Sequence, residues 1–528
     1  ISVPVRSIDM YLSLMKRNRI ILDQAQRREA VRRLARGAAE KLGGTLIEDA
    51  ELLTSVTNLL ESPVVMTGHF DKAFLKLPKE VIVTALKTHQ RYFSITDRRG
   101  RLMPYFVAFA DGARRNTAEI LKGCERVIQA RLADAQFYYR EDTAHPIDEL
   151  AARLDRIVWL EGLGSLAQKS ERMEKLALWI DRVCSGGSTG REALLRRAAY
   201  LAKADLASEM VKDGKEFTQL QGYIGREYAR VGGEDDEVAA AIFEHYLPRF
   251  AGDEIPTTDT GGILSMADKL DTTVGCFLFG LEPTGSQDPY ALRRQVLGFL
   301  RISIEGGFPV PLTGAVGESL SLFAGEKLVP EEVDVSSLSA RIMEFITQRL
   351  SVMLRGAGFD YDLVAAVLSA PWEIPRDARE MVSVLQGMRD RGDLTPFVLA
   401  MKRITNIIPS SVKGRITRER SIDMLSAFAE KDEEALGFSS SLFREDAEKR
   451  LYDATSSICR ELVDLQNHGP ASKVFDRLLQ LVPEINAYFD EVLVNCDDDT
   501  VRNNRISYLL SSYEAFSLYC NFSAIAGE

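Results

Sequence analysis

From residue 146 to the end of the chain, helical periodicity is almost continuous and strand patterns are almost absent. Apolar residues recur every three or four positions, which is the spacing that buries one face of a helix. The pattern predicts helices over residues 148–163, 166–184, 191–213, 237–246, 262–279, 291–304, 337–356, 361–370, 375–392 and 395–407. More helices with short loops are predicted for the rest of the chain. This constrains the fold class to a mostly α-helical, multidomain protein.

The only clear strand signals lie in the N-terminal part of the chain. Short runs rich in β-branched and aromatic residues predict strands over 63–68, 92–96 and 105–110. A turn sequence from Asp97 to Gly100 separates the last two runs and is typical of a hairpin. Helices are predicted on either side, over 24–42 and 48–60 and from Asn116 to Tyr139. This part is therefore predicted to be a small α/β module.

The length of 528 residues is too great for a single hydrophobic core, because domains average about 150 residues. We expect four domains, at 1–145, 146–310, 311–425 and 426–528. The chain starts with Ile1 and lacks a basic-then-apolar signal pattern, so we also expect a natural N-terminus further upstream.

Charge and cysteine content narrow the class of protein. The net charge of −11 argues against generic coating of nucleic acid, but basic residues dominate in 91–131 and in 402–420. Such tracts are either solvated faces or local sites for an anionic partner. The six cysteines form no CxxC pair, which favours a reducing cytoplasmic environment. No apolar run is long enough for a membrane span, so no membrane association is expected.

Familiar catalytic motifs are missing from the sequence. There is no HExxH, no P-loop, no GxGxxG after a strand, no GxSxG and no kinase motif set. The residue patterns of the two aminoacyl-tRNA synthetase active-site types are missing as well. None of these enzyme classes is therefore indicated by a local motif.

One group of acids and a histidine could still form a metal site. If the predicted helices pack together, these side chains could converge: Asp205, Glu209, Glu244, His245, Asp268 and Asp271. Carboxylates and an imidazole bind divalent metals that activate water. However, HD-type phosphohydrolases need a His-Asp pair, and here Tyr246 follows His245. A metal-dependent phosphohydrolase thus stays an alternative to a helical bundle in which the acids pair with Lys203, Lys269 and Arg226.

The segment PTGSQDPYALRR suggests a second kind of site. Backbone N–H groups before a helix, together with Arg293 and Arg294 one turn later, could bind an anion. We expect Asp288 to be the N-cap and Pro289 the first helical residue. A capped turn with two solvated arginines is the competing interpretation.

Several long motifs, in the right order from residue 54 onwards, resemble one known family. They include LPKEVIVTALKTHQRYFSITD, GCERVIQARLADAQFYYRED, VAAAIFEHYLPRFAGDEIP, ADKLDTTVGCFLFGLEPTGSQDPYALRR and TVRNNRISYLLSSYEAF. Together they are similar to the β-subunit of the heterotetrameric bacterial glycyl-tRNA synthetase.

The resemblance implies the roles of the parts. It implies that an α-subunit holds the active site and activates glycine with ATP and Mg²⁺, while this chain binds tRNA(Gly) and no cofactor or metal of its own. It implies an α2β2 assembly in the cytoplasm. It implies that 1–145 is a tRNA-handling module, that 311–425 is a linking helical body, and that 426–528 is a DALR-type anticodon-binding domain. The middle, 146–310, would be an HD-like domain whose metal site is degenerate at Asp205, His245, Asp268 and Asp271.

Residues for tRNA contact are predicted from charge and aromaticity. The basic candidates are Arg293, Arg294, Lys402, Arg403, Lys413, Arg415, Arg418, Arg502 and Arg505. Tyr452, Tyr488 and Tyr508 could stack on unpaired anticodon bases, although core packing is the usual fate of a tyrosine. A scaffold that holds the α-subunits without touching RNA remains the alternative.

Overall fold

The computed structural model describes residues 4–88, 90–112, 116–187, 189–212, 217–408, 416–465 and 470–526. The chain forms two compact units. Unit 1 comprises Ile1–Glu171 and Leu194–Tyr246, and unit 2 comprises Arg172–Ala193 and Leu247–Glu528. The finer division into four domains stays a prediction. Within the described ranges, no helix combines the length and the apolar character that crossing a membrane requires.

Unit 1 contains one four-stranded antiparallel sheet. Its strands are β1 (Thr45–Leu46), β2 (Pro63–His69), β3 (Phe93–Thr96) and β4 (Leu102–Asp111), in the order β1-β3-β4-β2. The three strands predicted from the sequence are confirmed. The strand β1 was missed because two residues are too few to show an alternating pattern. The hairpin between β3 and β4 is closed by Asp97, whose Oδ1 accepts hydrogen bonds from the backbone N–H groups of Arg99 and Arg101.

Helices cover the sheet and complete unit 1. They are α1 (Ile8–Arg17), α2 (Gln24–Lys41), α3 (Ala50–Leu59), α4 (Lys79–Lys87), α5 (Thr117–Thr143), α6 (Ile147–Ala152), α9 (Glu209–Lys212), α10 (Tyr223–Val231) and α11 (Asp236–Glu244). Two more helices, α7 (Leu166–Ser185) and α8 (Glu192–Leu201), each contribute residues to both units. The buried face of α2 is built from small side chains such as Ala35 and Ala39, which let the helix approach Ile95 and Val107 of the sheet closely.

Two helices predicted from the sequence are interrupted in the structure. The predicted helix 148–163 is α6 followed by a 3-10 turn at Arg153–Arg156, and the chain then forms a loop in which Gly162 and Gly164 adopt positive φ angles. The predicted helix 191–213 breaks after α8 into a 3-10 turn at Ala204–Ala207 and the short α9. At this break the Ser208 hydroxyl donates a hydrogen bond to the Asp205 carbonyl at 2.6 Å. Both predictions were wrong about continuity, since periodicity does not reveal such local interruptions.

Unit 2 is entirely helical within the residues that are described. Its helices are α12 (Asp259–Leu278), α13 (Leu292–Glu305), α14 (Leu312–Gly325), α15 (Val335–Gly356), α16 (Tyr361–Leu368), α17 (Pro375–Arg391), α18 (Leu394–Ile407), α19 (Arg418–Glu430), α20 (Glu433–Leu436), α21 (Asp446–Leu465), α22 (Ala471–Leu479), α23 (Val482–Glu491) and α24 (Asp499–Phe516). Almost every residue of α12 is buried, and it packs against α13, α14 and α15. Gly262 lets the loop between α13 and α14 come close to α12, because a Cβ at Gly262 would lie 2.9 Å from the Phe308 ring. The fold class predicted from the sequence, mostly α with one small sheet, is confirmed.

Candidate nucleic-acid interface

The three tyrosines that were candidates for base stacking are in the core of the C-terminal helices. Tyr452, Tyr488 and Tyr508 are each almost fully buried. The ring of Tyr508 packs edge-on against Phe438 at 5.1 Å, and its hydroxyl lies 3.1 Å from Thr455 Oγ1. Burial raises the pKa of the Tyr508 phenol. The three rings pack in the core, which was the expected fate of such tyrosines, and none of them is presented to an RNA base.

Arg505, also a candidate, is held in a buried ion pair. Its Nε and one terminal nitrogen donate to the two carboxylate oxygens of Glu448 at 2.8 and 3.0 Å, and its other terminal nitrogen donates to the Leu493 carbonyl at 3.0 Å. Burial opposes ionisation of Glu448. Arg505 and the backbone N–H groups of Glu445 and Arg444 outweigh it, so the pKa of Glu448 is lowered. A contact from Arg505 to RNA would require this pair to open.

Other basic candidates in the C-terminal part are also engaged within the protein. Arg403 pairs with Asp490 at 2.6 Å, and Arg502 pairs with Asp499. The contact of Arg418 with Glu373 is longer, at 3.6 Å. Lys402 donates to the Ile525 carbonyl at 2.8 Å, which ties α18 to the end of the chain. Lys413 and Arg415 lie outside the described residues. As phosphate contacts, all six residues stay predictions.

The loop before α13 is closed by its own residues. Asp288 accepts hydrogen bonds from the backbone N–H groups of Leu292 and Arg293 at 2.7 and 3.1 Å. The helix starts at Leu292, and Ala291 is its N-cap with a φ of 55°. The predicted start at Pro289 was therefore wrong, because residues 288–291 form a turn in which the Ala291 N–H bonds back to Asp288. The carboxylate of Asp288 occupies the helix N-terminus that we expected to be open to an anion.

Arg293 and Arg294 differ in their surroundings, although both remain candidates. The guanidinium of Arg293 donates to the carbonyls of Gly285 and Gln287 at 2.8 and 3.4 Å, which holds the loop together. Arg294 is exposed, and within the part of the chain that the structure describes it has no ion pair. As phosphate contacts, both arginines stay predictions.

The acid and histidine residues of the degenerate site are distributed over both units. In unit 1, Asp205 is fully buried and accepts a hydrogen bond from the Gly222 N–H at 2.5 Å. Gly225 is next to it, and a Cβ there would come within 3.1 Å of the Asp205 carboxylate. The ring of His245 is also fully buried, with its Nδ1 2.7 Å from the Ile242 carbonyl, so Nδ1 must carry the proton. These contacts fix both side chains in the core.

In unit 2, Asp271 forms an ion pair with a buried arginine, Arg172. Arg172 Nε donates to Asp271 Oδ1 at 2.7 Å, and its NH1 donates to Glu326 at 2.8 Å. The guanidinium also lies 4.3 Å from the centroid of the Phe323 ring. Burial favours the neutral form of Arg172, but the two carboxylates outweigh it and raise its pKa. Asp271 is thus held in an ion pair with a side chain that stays positively charged. Sequence reasoning missed Arg172 because it is far from Asp271 along the chain and belongs to none of the acidic motifs.

The remaining acids, Asp268, Glu209 and Glu244, form no group of metal ligands among the residues that the structure describes. Asp268 is buried on α12, one turn before Asp271, and Glu209 forms an exposed ion pair with Lys212 at 2.5 Å. Glu244 is buried at the end of α11. Among the residues that the structure describes, no three His, Cys, Asp or Glu side chains are grouped so as to hold a metal ion. The phosphohydrolase alternative therefore finds no ligand set to support it in this part of the chain.

Comparison with known proteins decides the family. A family model described as "Glycyl-tRNA synthetase beta subunit" matches residues 1–369, and one described as "DALR anticodon binding domain" matches residues 416–516. The chain belongs to the glycyl-tRNA synthetase beta subunit family. It is 37% identical to the glycine–tRNA ligase beta subunit of Desulforapulum autotrophicum over 99% of its own length and 72% of that relative. The corresponding subunit of Clostridioides difficile is also 37% identical, over 99% of this chain and 71% of that relative.

Membership of the glycyl-tRNA synthetase beta subunit family confirms the resemblance inferred from the motifs. It makes the chain part of an aminoacyl-tRNA synthetase, a ligase. The DALR match falls on α19 to α24, where a C-terminal anticodon-binding domain was predicted. The predicted bounds of that domain, 426–528, stay a prediction.

Proposed function

We propose that this chain is the tRNA-holding subunit of a glycine–tRNA ligase and that residues 416–516 bind the anticodon arm of tRNA(Gly). The observation that carries the proposal is the DALR match on the helices α19 to α24 of unit 2. Helical anticodon-binding domains use surface side chains on a rigid support to hold the loop. In this chain the buried packing of Tyr508 against Phe438 and the Arg505–Glu448 ion pair supply such rigidity.

The catalytic step belongs to a separate α-subunit in this proposal. The α-subunit binds ATP with Mg²⁺ and activates glycine, and this chain presents the tRNA to it in an α2β2 assembly in the cytoplasm. Support comes from the family name, which designates a beta subunit, and from the missing catalytic motifs in the sequence. No residue of this chain takes part in the bond-forming step. The chain acts by positioning, which makes an intermolecular reaction effectively intramolecular.

Hydroxyl-radical footprinting of tRNA(Gly) with this chain tests the proposal. We expect protection of the anticodon arm, and we expect chemical cross-links from that arm to map to residues 416–516. Glycine charging should need both the α-subunit and this chain, whereas glycine-dependent exchange of pyrophosphate into ATP should need the α-subunit. A tRNA with a different anticodon serves as the matched control, and its anticodon arm should be protected more weakly.

Two outcomes would overturn the proposal. A footprint that leaves the anticodon arm fully reactive would remove the assigned role of residues 416–516. A chain that supports charging without binding tRNA, measured by gel shift with and without the α-subunit, would be a scaffold instead.

A further inference from the structure

The surface between α18 and α23 in unit 2 carries an arginine that lies against an aromatic ring. The guanidinium carbon of Arg403, on α18, is 5.2 Å from the centroid of the Phe489 ring on α23. One terminal nitrogen of Arg403 donates to Asn486 Oδ1 at 3.1 Å, and the other donates to Asp490 at 2.6 Å. These contacts fix the guanidinium before any ligand arrives, which lowers the ordering cost of binding.

The same group of side chains is accessible from the solvent. The side chains of Arg403 and Asp490 are 37% and 66% exposed, and Phe489 is half-buried. Leu399 is an exposed apolar residue on α18, and it shares a helix face with Arg403 because it precedes Arg403 by four positions. We call five residues the α18–α23 platform: Leu399, Arg403, Asn486, Phe489 and Asp490.

The charge of the α18–α23 platform indicates a neutral ligand. Asp490 compensates the positive charge of Arg403, so the pair offers a phosphate little net attraction. A guanidinium plane and an aromatic ring are, however, surfaces on which unpaired nucleobases stack. The amide nitrogen of Asn486 and the second carboxylate oxygen of Asp490 form no hydrogen bond within the described residues. This donor and this acceptor can bond to the edge of a stacked base.

We propose that the α18–α23 platform binds one unpaired base of the anticodon loop of tRNA(Gly), with the base stacked on Arg403 and Phe489. The inference rests on the proposed function, in which residues 416–516 bind the anticodon arm. It extends that site, because α23 lies inside the DALR match whereas Arg403 and Leu399 precede it. The buried Tyr488 ring supports the Phe489 ring, since the two pack edge-on at 5.3 Å. Sequence reasoning missed Phe489, because one aromatic residue in an amphipathic helix usually indicates core packing.

The affinity for tRNA(Gly), measured by fluorescence anisotropy at several salt concentrations, tests the site. We compare the unaltered chain with F489L, which removes the aromatic face, and with R403K, which keeps the positive charge but removes the planar guanidinium. We expect F489L to raise the Kd about fivefold to tenfold and R403K to raise it about threefold. The slope of log K against log salt should stay the same, because a stacked base releases no counterions.

Synthetic tRNA(Gly) molecules then identify the base. Each of them carries one abasic nucleotide in the anticodon loop, which removes a base and keeps its phosphate. We expect one such tRNA to bind the unaltered chain about fivefold to tenfold more weakly than the intact tRNA does. F489L should weaken the binding of this tRNA little further, since both changes remove the same contact.

F345L is the matched control for F489L. Phe345 lies on α15 with the Arg349 guanidinium 4.8 Å from its ring centroid, and its ring packs against Phe277 at 5.2 Å. The substitution therefore changes a similar arginine–aromatic contact outside the α18–α23 platform. We expect its Kd to stay within about twofold of the original. Hydrogen exchange of the amides in α18 and α23 checks that F489L and R403K remain folded.

The outcomes separate this inference from the function on which it rests. If the unaltered chain binds tRNA(Gly) while F489L and R403K keep its Kd, the platform is no base site and the proposed function stands. If F489L weakens every abasic tRNA as much as the intact one, Phe489 supports the fold without touching a base, and the inference is wrong. If the unaltered chain binds no tRNA(Gly), both proposals fail. R403K remains informative where F489L lowers stability, because it leaves the ring in place.

Discussion

Replacement of Arg505 by methionine should destabilise the C-terminal helices and leave their RNA contacts intact. Methionine fills much of the space of the arginine stem but makes none of the three hydrogen bonds to Glu448 and Leu493. The side chains of Arg505 and Glu448 are 5% and 1% exposed, so the change leaves an uncompensated buried carboxylate. Removing one partner of such a pair costs about 3–5 kcal/mol. Glu448 keeps the N–H groups of Arg444 and Glu445 at 2.8 Å, which places the expected loss near the lower end.

A loss of about 3 kcal/mol is a large fraction of the stability of a typical domain. Hydrogen exchange of the amides in α21 and α24 measures this loss of free energy locally. A local measurement is needed because a chain of two units need not unfold in a single transition. R450M is the matched control, because Arg450 lies on α21, the helix of Glu448, and forms an exposed ion pair with Glu491 at 2.9 Å. We expect R450M to change the free energy of opening by less than about 0.5 kcal/mol.

The tRNA affinity of R505M decides between the two roles considered for Arg505. If Arg505 is structural, the Kd for tRNA(Gly) stays nearly unchanged at temperatures where the helices remain folded. Unaltered hydrogen exchange together with a tenfold weaker Kd would refute the reasoning and make Arg505 an RNA contact.

Two further predictions concern the sheet and the acid stability of unit 2. G68A should destabilise unit 1 by about 1–3 kcal/mol in urea unfolding, because its Cβ would lie 2.3 Å from the Phe106 ring across β2 and β4. G37A on α2 meets no atom within 4 Å and should be neutral or stabilising, so equal losses in both variants would contradict the steric argument. The hydrogen bond from Arg389, assisted by the Ala526 N–H, lowers the pKa of Asp362 in the folded state. The ionised Asp362 carboxylate therefore contributes its full stabilisation above about pH 4, and this stabilisation is lost as the pH falls through the lowered pKa. The melting temperature of D362N should be lower at neutral pH and should fall less steeply below about pH 4, and a parallel acid profile would contradict this assignment.

Local sequence determined the secondary structure and the family of this chain. Helical spacing and the 97–100 turn are properties of neighbouring residues, so α12, α13, α15 to α18 and the β3–β4 hairpin could be predicted within a few positions. The long motifs sufficed for the family because each of them extends over many consecutive residues. Periodicity did not reveal the end of α6 at Ala152, the break at Ala204–Ala207 or the helix α14.

The tertiary structure alone decided which charged groups remain available. Arg294 and Arg505 are equally basic in the sequence, but the first is exposed and the second pairs with Glu448, a partner from a distant helix. Asp271 is a plausible metal ligand in the sequence, and Arg172 neutralises it across a separation of 99 positions. The physical reason is that the electrostatic state of a side chain depends on burial and on its nearest charges. Those neighbours come from helix packing, and a local motif does not contain them.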